Sequence, residues 1–484
     1  MGLIFIPLYI KLIGVESYGL IGIFATLQAM CVILDMGINV TLNREMARLS
    51  VLPGREQEMR NLVRSLEIIY WCVAIFIGIV IMAISPFIAH HWIKAGQLSA
   101  PTIELAIRIM GFAMAFQWPV SLYSGGLMGL QRQVLLNVIN IGVNTIRWAG
   151  AALILWLISP TIQAFFAWQI ISSIINVCLL AFFLWQRLPY TEKKVSFQKQ
   201  LLAGIWRFAI GINGISILAI ILAQLDKIIL SKMLTLEMFG YYTLAGVVSI
   251  SLYGFTRPVF TAIYPSFTQL VSLADHDRLK QLYHKSCQFI SVLILPMAVV
   301  IAMFSYEIML IWTQNPVTAA KTYLLVSILI CGTAFNGLIS IPYALQLAHG
   351  WTKLSLYVLS ISAILFVPTI IYMTNHYGVI GGASAWTIFN SSYFFIAIPL
   401  AHRRLVPHEN RRWYWQVVCI PLMASLSIAG LGRLLIGGQT SQFMMMLCLI
   451  TVSISTLGIT AIVTPATRVW LFGKLSNLKL IRGY

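Results

Sequence analysis

The stretch IIYWCVAIFIGIVIMAISPFI, residues 68–88, contains no charged side chain. As an α-helix it would be about 32 Å long, which is enough to cross the roughly 30 Å hydrocarbon core of a bilayer. Long, continuous apolar runs of this kind recur along the chain, whereas a transmembrane β-barrel would show short segments of alternating hydrophobicity. The sequence therefore predicts membrane-spanning helices.

The composition of the 484-residue chain supports this prediction. Hydrophobic residues make up 59% of the chain and charged residues 10%, with a mean hydropathy of +0.87. An average soluble domain contains about 25% charged residues. A soluble fold of this length could not bury so much apolar surface, so the composition excludes a water-soluble enzyme, a disordered chain, collagen and a coiled coil. We expect an all-α polytopic membrane protein with about 14 transmembrane helices.

The apolar runs define the predicted organisation. We predict an N-terminal lobe over 1–186, a cytoplasmic linker over 187–203, a C-terminal lobe over 204–401, a final helix pair over 414–464 and a basic cytoplasmic tail over 465–484. The predicted helices cover 2–13, 17–42, 62–90, 102–124, 133–158, 161–186, 204–231, 238–265, 286–312, 320–347, 353–374, 379–401, 414–436 and 443–464.

The distribution of basic residues predicts the orientation of these helices. Of the 32 Lys and Arg residues, 23 fall in connections on one side, five on the other, and four inside predicted spans. The positive-inside rule then places both termini in the cytoplasm and requires an even number of spans. Fourteen spans fit best, with twelve plus an interfacial pair as the alternative. The net charge of +18 is spread over many short loops, so we expect no nucleic-acid partner.

The first predicted helix is short. Residues 2–13 would rise about 20 Å, which is less than the hydrocarbon core requires. Either the helix begins within the membrane or further residues precede it in the natural protein. We expect an upstream N-terminal segment.

Two segment pairs indicate an internal repeat. Residues 11–19 (KLIGVESYG) align with 232–240 (KMLTLEMFG) at an offset of 221, and 167–170 (AWQI) align with 385–388 (AWTI) at an offset of 218. Helices 1–6 and 7–12 therefore read as two six-helix lobes related by a pseudo-two-fold axis along the membrane normal. Such an arrangement places a central cavity between the lobes.

One predicted helix carries a polar stripe at membrane depth. Asn137, Asn140, Asn144 and Arg147 are spaced i, i+3, i+7 and i+10, which puts them on one helix face. A charge in hydrocarbon costs about 2.5–3.5 kcal/mol, so such a stripe avoids lipid. It either lines a cavity or forms a hydrogen-bonded seam between helices.

Weaker polar faces occur on four other predicted helices. They comprise Asp35, Asn39 and Asn43; Asn213, Ser216, Gln224 and Lys227; Tyr253, Arg257, Thr261 and Tyr264; and Asn336, Ser340 and Tyr343. The residues predicted to bind substrate are Arg147, Arg257, Lys227, Asn140, Asn144 and Arg108. Arg108 lies nearer the outer surface, where an interfacial role is an equal alternative. Glu67 and Glu307 lie near span ends, which favours interfacial solvation.

The deepest carboxylates are candidates for ion coupling. Asp35 and Asp226 are predicted to serve this role, with helix packing as the alternative. Asp226 precedes Lys227, and adjacent residues do not share a helix face. We therefore expect one of the two to face the cavity and the other to bond a neighbouring helix.

The predicted spans contain more basic than acidic side chains, which indicates the charge of the cargo. Guanidinium groups match phosphate oxygens, and Asn, Tyr and Ser suit hydroxyl-rich groups such as sugars. The stripe therefore favours an anionic, polar substrate. Neither an ATP-binding P-loop nor a metal-binding His or Cys spacing occurs in the sequence. We expect no catalytic residue, no metal and no cofactor.

These residues also carry a family resemblance. In the N-terminal lobe, its motifs are Ile6-Pro7-Leu8-Tyr9, Gly14-Val15-Glu16-Ser17-Tyr18-Gly19, Leu34-Asp35-Met36-Gly37 and Arg44-Glu45-Met46-Ala47. In the C-terminal lobe, they are Gln224-Leu225-Asp226-Lys227, Phe239-Gly240-Tyr241-Tyr242, Arg257-Pro258 and Tyr264-Pro265-Ser266. Together these motifs resemble bacterial polysaccharide-export flippases of the O-antigen type, in the multidrug/oligosaccharidyl-lipid/polysaccharide superfamily. The similarity covers about residues 1–400.

The resemblance implies a two-lobed, V-shaped, alternating-access flippase in the bacterial inner membrane. Members of the family move polyprenyl-pyrophosphate-linked oligosaccharide units outward, and a glycan polymerase is an expected partner beside the lipid bilayer. The short first helix departs from the family pattern. The alternatives are a peptidoglycan-precursor flippase, a drug or cation antiporter, or a membrane glycosyltransferase or polymerase. An enzyme of the last kind would need large outer loops with acidic motifs, which the chain lacks.

Overall fold

The computed structural model of the protein describes residues 2–35, 37–199, 214–435 and 441–469. Every regular element within these ranges is helical, apart from one bridge between Lys94 and Thr235. Three predicted features lie outside the described residues: the start of helix 7 with Asn213, the loop at 437–439, and the tail beyond residue 469.

The helices follow one another with short connections. Those that begin before residue 240 are α1 (Gly2–Cys31), α2 (Ile38–Leu49), α3 (Glu56–Phe87), α4 (Ala100–Gln117), α5 (Val120–Gly129), α6 (Gln133–Leu157), α7 (Ile162–Arg187), α8 (Gly214–Met233) and α9 (Leu236–Ile250). The later ones are α10 (Tyr253–Ser272), α11 (His276–Met303), α12 (Ser305–Thr313), α13 (Pro316–Ala348), α14 (Lys353–Leu405), α15 (Asn410–Trp413), α16 (Ile420–Leu435) and α17 (Gln442–Val463). A 3₁₀ segment, Val32–Asp35, follows α1, and π-helical segments cover Ile88–Trp92 and Tyr414–Cys419.

Helix α1 is broken where the sequence predicts the end of one helix and the start of the next. Gly14 has φ 80° and ψ 164°, a conformation that glycine adopts without steric cost. Tyr9 and Phe24, on either side of the break, contact the adjacent rings of Phe165 and Phe166 at 5.4 and 5.3 Å. In a straight helix, Tyr9 and Phe24 would be about 22 Å apart along the axis. The chain therefore turns at Gly14.

Helix α14 is a hairpin of two helices. The rings of Phe366 and Phe389 lie 5.0 Å apart, although a straight helix would separate these residues by about 35 Å. The reversal occurs at Gly378, which has φ 59°. The predicted separation of helices 353–374 and 379–401 is therefore correct.

The number of apolar helices agrees with the predicted fold class. Ten helical segments of the described residues are long and apolar enough to cross a membrane, and the bent pair α9–α10 gives eleven. Two of these segments contain the reversals at Gly14 and Gly378, so each supplies two of the predicted spans. Helix α8, which carries three charged residues, is not among these segments, so the total of fourteen spans stays a prediction.

The helices turn apolar side chains outward. On α3, Ile75, Phe76 and Ile79 are more than half exposed, while Tyr70 and Ala74 are fully buried. In water this pattern would be unfavourable, but in a bilayer the outer face contacts lipid tails. Association between the helices then depends on close packing and hydrogen bonds rather than on the hydrophobic effect.

The chain divides into two compact units, Met1–Gly240 and Tyr241–Tyr484, which are described separately. In unit 1, the pairs α3–α4, α4–α7, α2–α5 and α6–α7 pack most extensively. In unit 2, the core lies between α11, α13 and α14 and includes Tyr283, Phe394 and Trp413. The boundaries of the two lobes expected from the repeat stay a prediction.

Candidate functional site

The residues of the polar stripe on α6 differ in how far their side chains are buried. Arg147 is buried, with 8% of its surface exposed, whereas Asn140 is half-buried and Asn137 and Asn144 are exposed. The stripe runs obliquely across the boundary between the buried and the exposed sides of the helix. The structure therefore separates the guanidinium from the outermost amides of the stripe.

The guanidinium of Arg147 is buried without compensation. Its Nε and Nη2 atoms are shielded from solvent and have no hydrogen-bond partner among the described residues, and no acidic side chain of that part of the chain pairs with it. Breaking a buried ion pair to leave one charge alone typically costs 3–5 kcal/mol, on the order of the stability of a small domain. Neutralisation of this charge would require an acidic partner or a bound anion, and the binding role predicted for Arg147 stays a prediction.

The backbone around Arg147 is held firmly. The indole of Trp168 on α7 donates to the Arg147 carbonyl oxygen at 3.1 Å, and the Tyr9 hydroxyl donates to the Trp148 carbonyl oxygen at 2.6 Å. Two helices, α1 and α7, therefore fix this turn of α6. These hydrogen bonds hold the backbone that carries the Arg147 side chain in a fixed position.

Arg257 belongs to unit 2 and has a different environment. It is exposed on α10, and its guanidinium has no partner among the residues that the structure describes. Pro258 follows it, so α10 lacks one backbone donor at this position. An exposed cation at membrane depth requires water or a polar ligand rather than lipid tails.

The two charged residues of the pair on α8 contact each other. Asp226 is buried, and the Lys227 Nζ atom lies 3.6 Å from its carboxylate and donates to the Ala223 carbonyl oxygen at 3.3 Å. Neighbouring Cβ atoms do point apart, but the flexible lysine stem is long enough to fold back to the carboxylate. Lys227 and Asp226 therefore compensate each other, which leaves Lys227 less able to bind a substrate anion than an unpaired cation.

Asp35 lies in the 3₁₀ segment between α1 and α2, and among the described residues only neutral groups donate to it. The hydroxyls of Tyr70 and Ser121 donate to its Oδ1 atom, the latter at 3.0 Å, and the Asn39 backbone N–H donates to Oδ2 at 3.3 Å. The Tyr70 ring is stacked on Trp118 with 4.5 Å between centroids. Asp35 can therefore gain a proton or hold a cation without the loss of a salt bridge.

Glu67 is a buried carboxylate, contrary to the interfacial position expected from the sequence. Its Oε1 atom accepts from the Tyr123 hydroxyl at 2.7 Å and the Trp185 indole at 3.3 Å, and its Oε2 atom accepts from Arg64 at 2.7 Å. These donors come from α3, α5 and α7. No local spacing connects Glu67 to Tyr123 or Trp185, so the pattern along the chain gave no signal for this cluster.

Arg108 lies in the middle of α4, next to polar groups at the end of α3. It pairs with Glu104 one turn away on α4, donates to the Ser85 hydroxyl at 3.3 Å and is half exposed. His90 also lies 3.7 Å from Glu104. This arrangement favours the interfacial alternative over substrate contact.

Several of the other polar residues form seams between helices. Asn336 on α13 donates to the Asn390 side chain on α14 at 2.9 Å, and Glu307 pairs with Arg433 across α12 and α16. Both contacts lie within unit 2. They match the packing role of polar groups in membrane helices rather than a binding role.

Comparisons with known proteins agree with this architecture. A curated protein of Shigella flexneri named "Putative O-antigen transporter" is 20% identical over 376 residues, which cover 78% of this chain and 87% of that protein. Among solved structures, the lipid II flippase MurJ in an inward closed conformation has a TM-score of 0.72 at 14% identity, with 95% of both chains covered. An inward-facing multidrug resistance MATE transporter of the MOP superfamily has a TM-score of 0.68 at 14% identity, with 82% of this chain and 92% of that chain covered.

These likenesses confirm the predicted fold class, an all-α, multi-pass membrane protein with the two-lobe architecture of its structural relatives. The family model described as "Polysaccharide biosynthesis protein" matches residues 1–271, which is more than half of the chain. The protein therefore belongs to the polysaccharide biosynthesis protein family, as the resemblance in its motifs predicts.

Proposed function

We propose that the protein is a flippase that moves a polyprenyl-pyrophosphate-linked oligosaccharide from the inner to the outer leaflet of the bacterial cytoplasmic membrane. The cargo would be an O-antigen unit or another surface polysaccharide repeat unit. Family membership and the name of the Shigella flexneri relative support this class of cargo. Alternating access supplies the mechanism, with both termini in the cytoplasm.

The uncompensated guanidinium of Arg147 is the observation that carries the proposal. A pyrophosphate that leaves water needs cationic replacement for its lost hydration, because an isolated charge is strongly disfavoured in a low-dielectric environment. The planar fork of arginine can donate two parallel hydrogen bonds to phosphate oxygens. The buried, unpaired Nε and Nη2 atoms of Arg147 are donors of this kind.

The remaining residues have complementary roles in this proposal. Arg257 supplies an exposed cation in addition to the buried Arg147, and Asn140 and Asn144 supply amides for the hydroxyl groups of the glycan. Asp35 is the coupling carboxylate, because only neutral groups of the described residues donate to it. Arg108 and Lys227 are omitted from the binding set because each is already paired with a carboxylate.

Substitution of Arg147 tests the proposal. Arg147→Ala should reduce surface glycan and leave lipid-linked oligosaccharide on the inner leaflet, with an unchanged amount of protein in the membrane. Arg147→Lys should restore export in part, because it keeps the charge but not the fork. Arg132, an exposed residue at the start of α6, provides the matched control Arg132→Ala.

Two outcomes would contradict the proposal. Full glycan export by Arg147→Ala would exclude a pyrophosphate contact at this residue. A loss of membrane protein in both the Ala and Lys variants, with recovery in Arg147→Gln, would instead assign a packing role to the side chain.

A drug or cation antiporter is the second candidate function. The observation in its favour is the Asp35 carboxylate, which has no cationic partner among the described residues and could bind a cation directly. Uptake of a cationic dye into vesicles, driven by an imposed gradient and abolished by Asp35→Asn, would favour the antiporter. A peptidoglycan-precursor flippase shares the pyrophosphate chemistry and would be distinguished by the glycan that accumulates.

A further inference from the structure

A large cleft opens in unit 2 beside the first turns of α11. It has a volume of about 1050 Å³ and also involves residues 412–416 and 465–469. Its polar part is lined by Lys280, Lys285 and Arg412, and its apolar part by Ile263, Phe289 and Val469. The positive-inside rule assigns this end of α11 to the cytoplasmic side of the membrane.

Of the lining cations, Lys285 is unpaired among the described residues and Arg412 makes only a long ion pair. Lys285 is exposed and has no ion-pair or hydrogen-bond partner among the described residues, and Arg412 is 3.8 Å from its nearest carboxylate, that of Glu409. Lys280 is engaged with Glu409 at 2.6 Å. Asp277 is the one carboxylate among the lining residues of the described chain, so the cleft carries an excess of positive charge.

A buried histidine at the same cleft has one ring nitrogen without a partner among the described residues. His284 is 7% exposed, and its Nε2 atom lies 2.8 Å from the Glu409 carboxylate. Because a carboxylate can only accept, Nε2 carries the proton of this hydrogen bond. The Nδ1 atom of His284 is buried and has no partner within the described ranges. In the neutral ring this nitrogen is an acceptor, so it adds no positive charge to the cleft.

We propose that this cleft binds an anionic phospholipid of the cytoplasmic leaflet. The phosphate lies against Lys285 and Arg412, and an acyl chain follows Phe289 and Val469 towards the membrane. Basic pockets between membrane helices on the cytoplasmic side are suited to such headgroups. The combination of a cationic end with an apolar floor fits a lipid better than it fits a free inorganic anion.

The charge of the cleft also argues against occupation by the end of the chain itself. Residues 470–484 include Lys474, Lys479 and Arg482 and contain no acidic residue. A segment of this composition would bring like charges together in a cleft that is already basic. An anionic headgroup instead neutralises them.

The test compares two double variants of the full-length protein purified in detergent. Lys285→Gln with Arg412→Gln removes the charges of these two residues from the cleft. Arg278→Gln with Arg411→Gln removes the same charge from exposed residues that do not line it. Each protein is titrated with phosphatidylglycerol, phosphatidylethanolamine or inorganic phosphate, and the dissociation constant is measured together with the midpoint of thermal unfolding.

We expect phosphatidylglycerol to bind the wild-type protein and the control variant equally. The cleft variant should bind it about 30-fold more weakly, which corresponds to about 1 kcal/mol for each cation removed. A chain shortened after Val469 should bind as the full chain does. Equal binding of phosphatidylethanolamine, equal loss in the control variant, or inorganic phosphate that binds as tightly as the lipid would each overturn the proposal. So would tighter lipid binding by the shortened chain, because it would show that residues 470–484 occupy the cleft.

Discussion

Gly19 and Gly240 occupy equivalent positions of the internal repeat, and each packs against a main-chain carbonyl group of the other's segment. A Cβ atom at Gly19 would lie 2.5 Å from the Leu236 carbonyl oxygen, and one at Gly240 would come closer still to the Val15 carbonyl oxygen. Val15 and Leu236 are themselves equivalent, since both pairs are 221 residues apart. The contact is therefore reciprocal, as expected for two equivalent surfaces related by a two-fold axis.

This contact predicts that neither glycine tolerates a methyl group. Gly19→Ala and Gly240→Ala should each lower the free energy of unfolding by about 1–3 kcal/mol, because the clash is with the backbone rather than with a movable side chain. Thermal unfolding in detergent measures the effect.

Gly142 provides the matched control for these variants. It lies in α6, and no atom would come within 4 Å of an added Cβ. Gly142→Ala should therefore be neutral or stabilise the helix by up to about 1 kcal/mol. Equal destabilisation at all three positions would contradict the assignment of a specific contact.

Asp35 and Glu67 differ in the groups that donate hydrogen bonds to their carboxylates. Because only neutral groups of the described residues donate to Asp35, we expect Asp35→Asn to abolish the dependence of transport on an imposed proton or sodium gradient. Transport into vesicles with and without the gradient measures this change. An Asp35→Asn protein that keeps full gradient dependence would show that the coupling site lies elsewhere.

Glu67 should behave in the opposite way. Its carboxylate accepts from Tyr123, Trp185 and Arg64, so Glu67→Gln should destabilise unit 1 by about 1.5–3 kcal/mol, the usual range for hydrogen bonds to a charged group. The abundance and the unfolding temperature should fall, while the protein that remains keeps its response to the gradient. If Glu67→Gln instead keeps normal stability but loses the response to the gradient, Glu67 is a coupling residue.

The sequence was informative where the determinants are local. Uninterrupted apolar runs defined the helices, and the breaks at Gly14 and Gly378 fall between helices that were predicted separately. The burial of Glu67 could not be predicted, because its donors lie on α5 and α7, far along the chain. The pairing of Asp226 with Lys227 follows from their adjacency, because the long lysine side chain reaches the carboxylate even though helix periodicity points the two Cβ atoms apart.

The loop that precedes α15 should respond to pH through Glu409. Burial of this side chain raises its pKa, but the hydrogen bond from Lys280 and the charge of His284 outweigh that effect, so the pKa lies below its usual range. A lowered pKa means that the carboxylate stabilises the fold above its ordinary pKa of about 4.5, and that this contribution is lost as the pH falls through the lowered value. Glu409→Gln should therefore unfold at a lower temperature than the wild-type protein at pH 7, and the difference should shrink below about pH 4.5. A difference that is independent of pH would exclude an ionic role for Glu409.

The final prediction concerns the orientation of the chain in the membrane. Arg187 ends α7 and is followed by Lys193 and Lys194, and Arg403 and Arg404 lie in the last turn of α14. The positive-inside rule therefore retains both connections in the cytoplasm. Reporter fusions after Leu188 and after Val406 should therefore give cytoplasmic signals. Fusions within residues 437–439, between α16 and α17, should give signals from the outer side if both helices cross the membrane. A cytoplasmic signal at 437–439 would instead leave these two helices at the interface and reduce the number of spans to twelve. The fusions after Leu188 and Val406 serve as the internal controls, because both topologies place them in the cytoplasm.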